Sequence, residues 1–319
     1  MNDDSQNPAQ KKPLFSTTGS KADRAESASR SWSDMGPRLI SASVLLAVTI
    51  FMVWAGGVWF ALLLSLSFGG VLREWEAMIG ARQNRPFGMF LIALIALVPV
   101  VGSVFGIVFG IFAGVAGSII SLFGQARFRI WRAGGFLFFS AVILALLLIR
   151  GIDRWSIDAS DFDVSDFASW GIVGWGFAAC FFLGATVWMT DTGALLAGRY
   201  FRGAKLNPDI SPAKTWSGAI GGFILGTLSG LLVFVIVSPS SWWIGLAMAA
   251  GVSVFGQVGD LMESAVKRHF RVKDSGDAIP GHGGLLDRMD SLTFGALLLF
   301  AIGAINSGFQ FVARGIFVW

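Results

Sequence analysis

Cysteine is almost missing from these 319 residues: Cys180 stands alone, which excludes an internal disulfide and any cysteine-rich metal site. It sits in an apolar run and reads as a small packed side chain. Tyrosine also occurs once and histidine twice. The larger deficit is in charge. Only 14% of the residues are Asp, Glu, Lys or Arg, where soluble domains carry about 25%. The net charge of +4 is small, and no nucleic-acid partner is expected. What fills the space is apolar: 54% of the chain is hydrophobic, with 29 Phe and 13 Trp, and the mean hydropathy is +0.68. A soluble core of this length has no room for so much apolar surface, so the chain reads as an all-α, polytopic integral membrane protein whose solvent is largely the lipid bilayer.

Uncharged runs give the expected spans at about 20 residues each. Leu39 to Leu72 holds two, turning at Ala55-Gly56-Gly57. Phe87 to Ala126 holds two, broken near Pro99 to Gly102. Ala133 to Ile149 and Phe167 to Thr190 are one each. Trp216 to Gly259 holds two, broken at Ser238-Pro239-Ser240-Ser241, and Ser291 to Ala313 is the last. The expectation is nine spans. Residues 1–38 are polar, lack the apolar stretch of a signal peptide and read as a flexible cytoplasmic tail, with the membrane domain over 39–319.

Basic residues orient the spans. Segments 1–38, 73–86, 126–132, 191–215 and 260–290 carry 6, 3, 3, 4 and 5 Lys and Arg, or 21 of the 24. The loop near 150–166 instead carries Asp153, Asp158, Asp161, Asp163 and Asp166. The positive-inside rule therefore puts the N-terminus in the cytoplasm and the C-terminus outside; the expected membrane is the inner (plasma) membrane of the cell.

Two inside segments, 191–215 and 260–290, are more polar than topology requires. The second holds six acidic residues, five basic ones and both histidines. If the eighth span continues as a helix beyond Gly259, then Asp260, Ser264, Lys267 and Arg271 form one polar stripe. Asp287 and Asp290 share a face where the ninth span begins. Asp260, Asp287 and Asp290 can thus converge between two helix ends, a donor set suited to Mg²⁺, while Lys267, Arg268, Lys273 and Arg288 offer fixed positive charge to phosphate oxygens. Between them, the glycines of Pro280-Gly281-His282-Gly283-Gly284 let backbone N–H groups approach an anion. Singly, these features have plainer readings: basic loops mark topology, a histidine in a glycine turn is structural, and paired aspartates cap helices. Their joint occurrence within some thirty residues at a membrane face is what those readings leave unexplained.

The run Ser264-Ala265-Val266-Lys267-Arg268, then Lys273-Asp274, then Pro280-Gly281-His282-Gly283-Gly284-Leu285-Leu286-Asp287-Arg288-Met289-Asp290 resembles the signature of the phosphatidate cytidylyltransferases (CDP-diacylglycerol synthases). Asp191-Thr192-Gly193-Ala194, Gly198-Arg199 and Ser211-Pro212-Ala213-Lys214-Thr215 are similar to an earlier element of the same family. The likeness covers about residues 39–313. Two departures stand out: Ser217-Gly218 replaces the family's usual Glu-Gly, and Leu195 stands where an aromatic is common.

The resemblance implies transfer of CMP from CTP to phosphatidic acid, giving CDP-diacylglycerol and pyrophosphate for phospholipid biosynthesis. It implies metal ligation by Asp260, Asp287 and Asp290, with Lys273 joining them in catalysis. It implies substrate contacts from Asp191, Ser211, Lys214, Thr215, Ser264, Lys267, Arg268, His282 and Arg288. Mg²⁺ is the expected cofactor, with K⁺ as a second metal, and a homodimer is an expected assembly. The lipid phosphate is already an anionic nucleophile, so in-line displacement at the α-phosphorus requires positioning and charge neutralisation rather than a base. Two rivals are a CTP-dependent polyprenol kinase, which would transfer the γ-phosphate, and a transporter. Transporter sites lie near the midplane, and here mid-span positions are nearly free of charge.

Overall fold

The computed structural model describes residues 35–80, 85–123, 129–151, 174–276 and 284–319. The tail before residue 35, the acidic segment 152–173 and His282 lie outside the described residues. The chain divides into compact units at Met1–Val48 and Thr49–Trp319, and the second of them is a helix bundle.

Ten helices and one small hairpin make up the described structure: α1 Met35–Ala55, α2 Gly57–Met78, α3 Arg85–Phe105, α4 Ile107–Ser121, α5 Arg129–Arg150, α6 Trp175–Phe201, β1 Lys205–Asn207, β2 Ser211–Thr215, α7 Trp216–Val237, α8 Trp242–His269, α9 Leu286–Ser307 and α10 Val312–Phe317. The protein is thus an all-α polytopic membrane protein. Seven of these helices, α2, α3 and α5 to α9, are long and apolar enough to cross a bilayer. The other two expected spans correspond to shorter apolar helices, Ser43–Ala55 and Ile107–Ser121. At 1.5 Å per residue the 15 residues of α4 reach only about 22 Å, short of a hydrocarbon core of about 30 Å. Among the described residues seven helices are thus long and apolar enough to span and α4 is too short, so the expected count of nine full spans is not confirmed.

The breaks differ in instructive ways. The third span does not stop between Pro99 and Gly102: α3 runs through Pro99 to Phe105. A proline inside a helix leaves a carbonyl without its N–H partner, and in a membrane a neighbouring helix must compensate. The carbonyl Pro99 leaves is that of Ile95; the next one, of Ala96, accepts from the Ser65 hydroxyl of α2 at 2.6 Å, a contact that ties the two helices together at this turn. The reversal comes at Gly106, whose φ of 100° is open to glycine alone at no steric cost. The sixth span does not end at Thr190, because α6 continues to Phe201. The last does not run to Ala313. It starts at Leu286, ends at Ser307, and α10 folds back against it.

Helix α5 is the central pillar. It touches α2, α3, α4, α6, α9 and α10, and Phe136, Val142, Ile143 and Ile149 along it are fully buried. By contrast, Phe90, Phe112, Leu228 and Leu232 point outward, as expected where lipid replaces water. Helices α6 and α7 form the tightest pair. A Cβ at Gly193 would sit 2.7 Å from the Gly221 carbonyl, and one at Gly222 2.6 Å from that of Thr190. Only glycine lets the two backbones touch.

A buried pair locks α2 to α5. The Arg132 guanidinium donates from Nε and Nη2 to the two Glu76 oxygens, both at 2.6 Å, with side-chain exposures of 0% and 7%. Around it Trp75, Trp131, His269 and Phe270 pack ring against ring, joining the end of α8 to α2 and α5. The carboxyl ends of α2, α6 and α8 and the amino ends of α5, α7 and α9 gather at one end of the bundle, and the polar chemistry lies there.

Candidate active site

Helix α8 continues past Gly259 without a break to His269, which places Asp260, Glu263, Ser264 and Lys267 on consecutive turns. Arg271 leaves the expected stripe, because the helix has ended and this residue adopts a φ of 57°. Helix α9 begins at Leu286, so Asp287 lies in its first turn and Asp290 in its second. The two helix ends face one another.

Three carboxylates meet between them. One oxygen each from Asp260, Glu263 and Asp290 lies within 4.8 Å of the others. Two unit charges at that separation repel by about 3.5 kcal/mol at an effective dielectric of 20, so such a triad calls for a cation. The adjacent lysines compensate in part. Lys214 Nζ reaches Asp260 Oδ1 at 2.7 Å, and Lys267 Nζ lies 2.8 Å from Asp287 Oδ1 and 3.3 Å from Glu263 Oε1. Lys267 is the one cation paired with Glu263 among the described residues; the second Glu263 oxygen is buried with no such partner, and no ion pair to Asp290 is seen there. Buried carboxylate oxygens of this kind, beside two further carboxylates, fit a hard divalent cation.

Asp287, expected with the metal ligands, is held differently: Lys267 pairs with one oxygen and the Ser275 N–H donates to the other at 3.3 Å. Glu263 takes the third place in the cluster. Its spacing is visible in the sequence, three residues after Asp260 and four before Lys267 on one helix face, but the family likeness points to the aspartates. Glu74 is invisible to local reasoning. Some 200 residues away in sequence, it accepts hydrogen bonds from Ser275, Leu285 and Leu286.

The remaining expected residues form a border around the cluster. Asp191 lies on α6, a helix rather than a loop, with the Ser291 hydroxyl 3.5 Å from its Oδ1. Ser211, Lys214 and Thr215 lie on β2, whose antiparallel pairing with β1 aligns Lys205 with Thr215 and Asn207 with Ser211. Thr215 caps α7, its hydroxyl accepting from the Gly218 N–H at 3.1 Å. Ser217, in the place of the usual glutamate, donates its hydroxyl to the Arg202 carbonyl and so fastens the base of the hairpin. Arg268 is exposed and ties the hairpin to α8 through the Ile210 carbonyl at 3.2 Å. Ser264 is buried. Lys273 and Arg288 are exposed at the same end, and Lys273 makes no ion pair among the described residues.

Comparison with known proteins bears on this geometry. A sequence model described as the cytidylyltransferase family matches residues 36–305. The phosphatidate cytidylyltransferase of Brucella suis biovar 1 (strain 1330) is 38% identical over 280 residues, covering 86% of this chain and 94% of its own. That of Bacillus subtilis (strain 168) is 43% identical over 128 residues, 40% of this chain and 48% of the relative. That of Staphylococcus saprophyticus is 50% identical over 109 residues, 34% and 42% of the two chains.

Proposed function

The chain belongs to the cytidylyltransferase family, and we propose that it transfers CMP from CTP to phosphatidic acid, with CDP-diacylglycerol and pyrophosphate as products, by metal-assisted in-line displacement at the α-phosphorus. The observation that carries this reading is the gathering of Asp260, Glu263 and Asp290 beside Lys214 and Lys267 at one end of a membrane helix bundle. Both substrates are anions, so bringing them together is the main electrostatic obstacle. Asp260, Glu263 and Asp290 would hold Mg²⁺, with Asp287 beside them; when bound, the ion supplies neutralisation of phosphate charge.

The protein's own groups do the rest. Lys214 and Lys267 stand in ion pairs with the carboxylates; in those positions they can exchange a carboxylate partner for a phosphate oxygen with little movement. Arg268, Lys273 and Arg288 border the cluster with further positive charge, and Asp191 and Ser291 close it on the α6 side. The site lies at the ends of bilayer-crossing helices, so a lipid phosphate at the headgroup level meets a nucleotide arriving from water. The excess of Lys and Arg on the segments at that end supports a cytoplasmic orientation.

The test is a reconstitution of the purified protein with phosphatidic acid, Mg²⁺ and CTP labelled at either the α- or the γ-phosphorus. Label from the α-phosphorus is expected in the lipid product. Label from the γ-phosphorus would overturn the reading in favour of a lipid kinase.

A further inference from the structure

We propose that Glu74, on the transmembrane helix α2, is a positioning residue for the reaction: it clasps both ends of the segment joining α8 to α9 and thereby sets where α9 begins. The inference rests on the reading of the carboxylate cluster as the active site.

Glu74 is 4% exposed, and three donors converge on it. The Leu285 N–H donates to Oε1 at 3.0 Å, while the Leu286 N–H and the Ser275 hydroxyl donate to Oε2 at 2.8 and 3.1 Å. Leu285 and Leu286 open α9, whose first N–H groups have no partner within the helix. A carboxylate is the side chain that satisfies two of them and complements the positive end of the helix dipole. It comes from another helix, whereas Leu285, at the position where a local cap would stand, has no side-chain acceptor.

Neighbouring residues are shaped around this contact. A Cβ on Gly276 would lie 2.9 Å from Glu74 Cγ, and one on Gly284 would lie 3.0 Å from Glu74 Oε2 and 2.9 Å from Asp287 Oδ2. A Cβ on Gly70, one helical turn before Glu74, would lie 2.8 Å from Leu285 Cδ2, so α2 also leaves room for the leucine that precedes α9. Ser275, held by Glu74, in turn donates its N–H to Asp287, which pairs with Lys267. Asp290 follows one turn later. A shift at the start of α9 therefore moves Asp287 and Asp290 against Asp260, Glu263 and Lys267.

The experiment compares full-length wild type with Glu74→Gln, Ser275→Ala and the double variant in detergent. Gln keeps the volume but turns an NH₂ donor towards N–H donors. In Glu74→Gln, peptides covering 284–290 are expected to exchange amide hydrogens at least tenfold faster, with exchange in α6 and α7 unchanged. The kcat for CMP transfer should fall at least tenfold while KM for CTP stays within threefold. Ser275→Ala should give a smaller loss, and the double variant should be no slower than Glu74→Gln, since both act through one clasp. Unchanged exchange at 284–290 would overturn the proposal. So would faster exchange across α6 and α7 as well, which would mark a general loss of stability. Faster exchange at α9 with wild-type kcat would remove the link to the reaction. Absence of CMP transfer in the wild type itself would sink the proposed function instead, leaving the exchange data to judge the clasp.

Discussion

Asn is nearly as good as Asp when the task is to cap a helix, but it lacks the charge that holds a cation. This contrast separates the two readings of the carboxylates. In Asp260→Asn, Asp290→Asn and Glu263→Gln, CMP transfer is expected to fall at least about 10³-fold, a barrier increase of about 4 kcal/mol, with insertion into the membrane unchanged. Near-normal rates in Asp290→Asn would deny that residue any part in holding a cation. Lys214 offers a second comparison. Paired with Asp260 at 2.7 Å, it is expected on removal to raise the KM for CTP. Lys214→Arg should recover only part of the loss, because the guanidinium is larger and planar. Equal KM values in wild type and Lys214→Ala would leave the lysine with no part in nucleotide binding.

The buried Arg132–Glu76 pair joins α2 to α5 at the end that carries the site. Removing one partner leaves a charge without compensation in an apolar surrounding. Glu76→Ala is therefore expected to destabilise by about 3–5 kcal/mol, and Glu76→Leu with Arg132→Met to lie much closer to wild type. Thermal unfolding of the detergent-solubilised variants measures both, and a Glu76→Ala midpoint equal to wild type would deny the pair any structural weight. How far such elements can be read from sequence depends on the range of the forces that make them. The continuation of α8 past Gly259 is legible because Asp260, Ser264 and Lys267 keep helical spacing. The turns at Gly56 and at 238–241 are legible because paired glycines in the first and a Ser-Pro-Ser-Ser run in the second disfavour helix locally. Pro99 misleads because proline usually ends or kinks a helix, yet α3 carries it inside and continues to Phe105. The α6 boundary misleads because Asp191 is charged, yet a helix end near a polar site tolerates it. Glu74 and Arg132 cannot be found from local pattern at all, since their partners come from distant segments.

For the protein in its membrane, the distribution of basic residues predicts that a reporter fused after Trp319 scores as external and one inserted near Lys273 as cytoplasmic. A cytoplasmic signal at Trp319 would reverse the assigned topology. Residues 1–30 precede both the family match and the described helices. Their deletion is expected to leave turnover within about twofold, under roughly 0.5 kcal/mol in the barrier; a large loss in well-inserted protein would bring the tail into the site. The far end of the bundle carries a different implication. Phe317 packs against Trp175, Phe182 and Phe234, and its carbonyl accepts from the hydroxyls of Ser238 and Ser240. Asn306 holds the carbonyls of Gly315 and Val318. Translation runs in one direction, so α10 leaves the ribosome after every surface it binds. Helices α5, α6, α7 and α9 must wait in the bilayer with that face uncovered, and a chain cut short before residue 312 would offer it to quality-control proteases as an unfinished product.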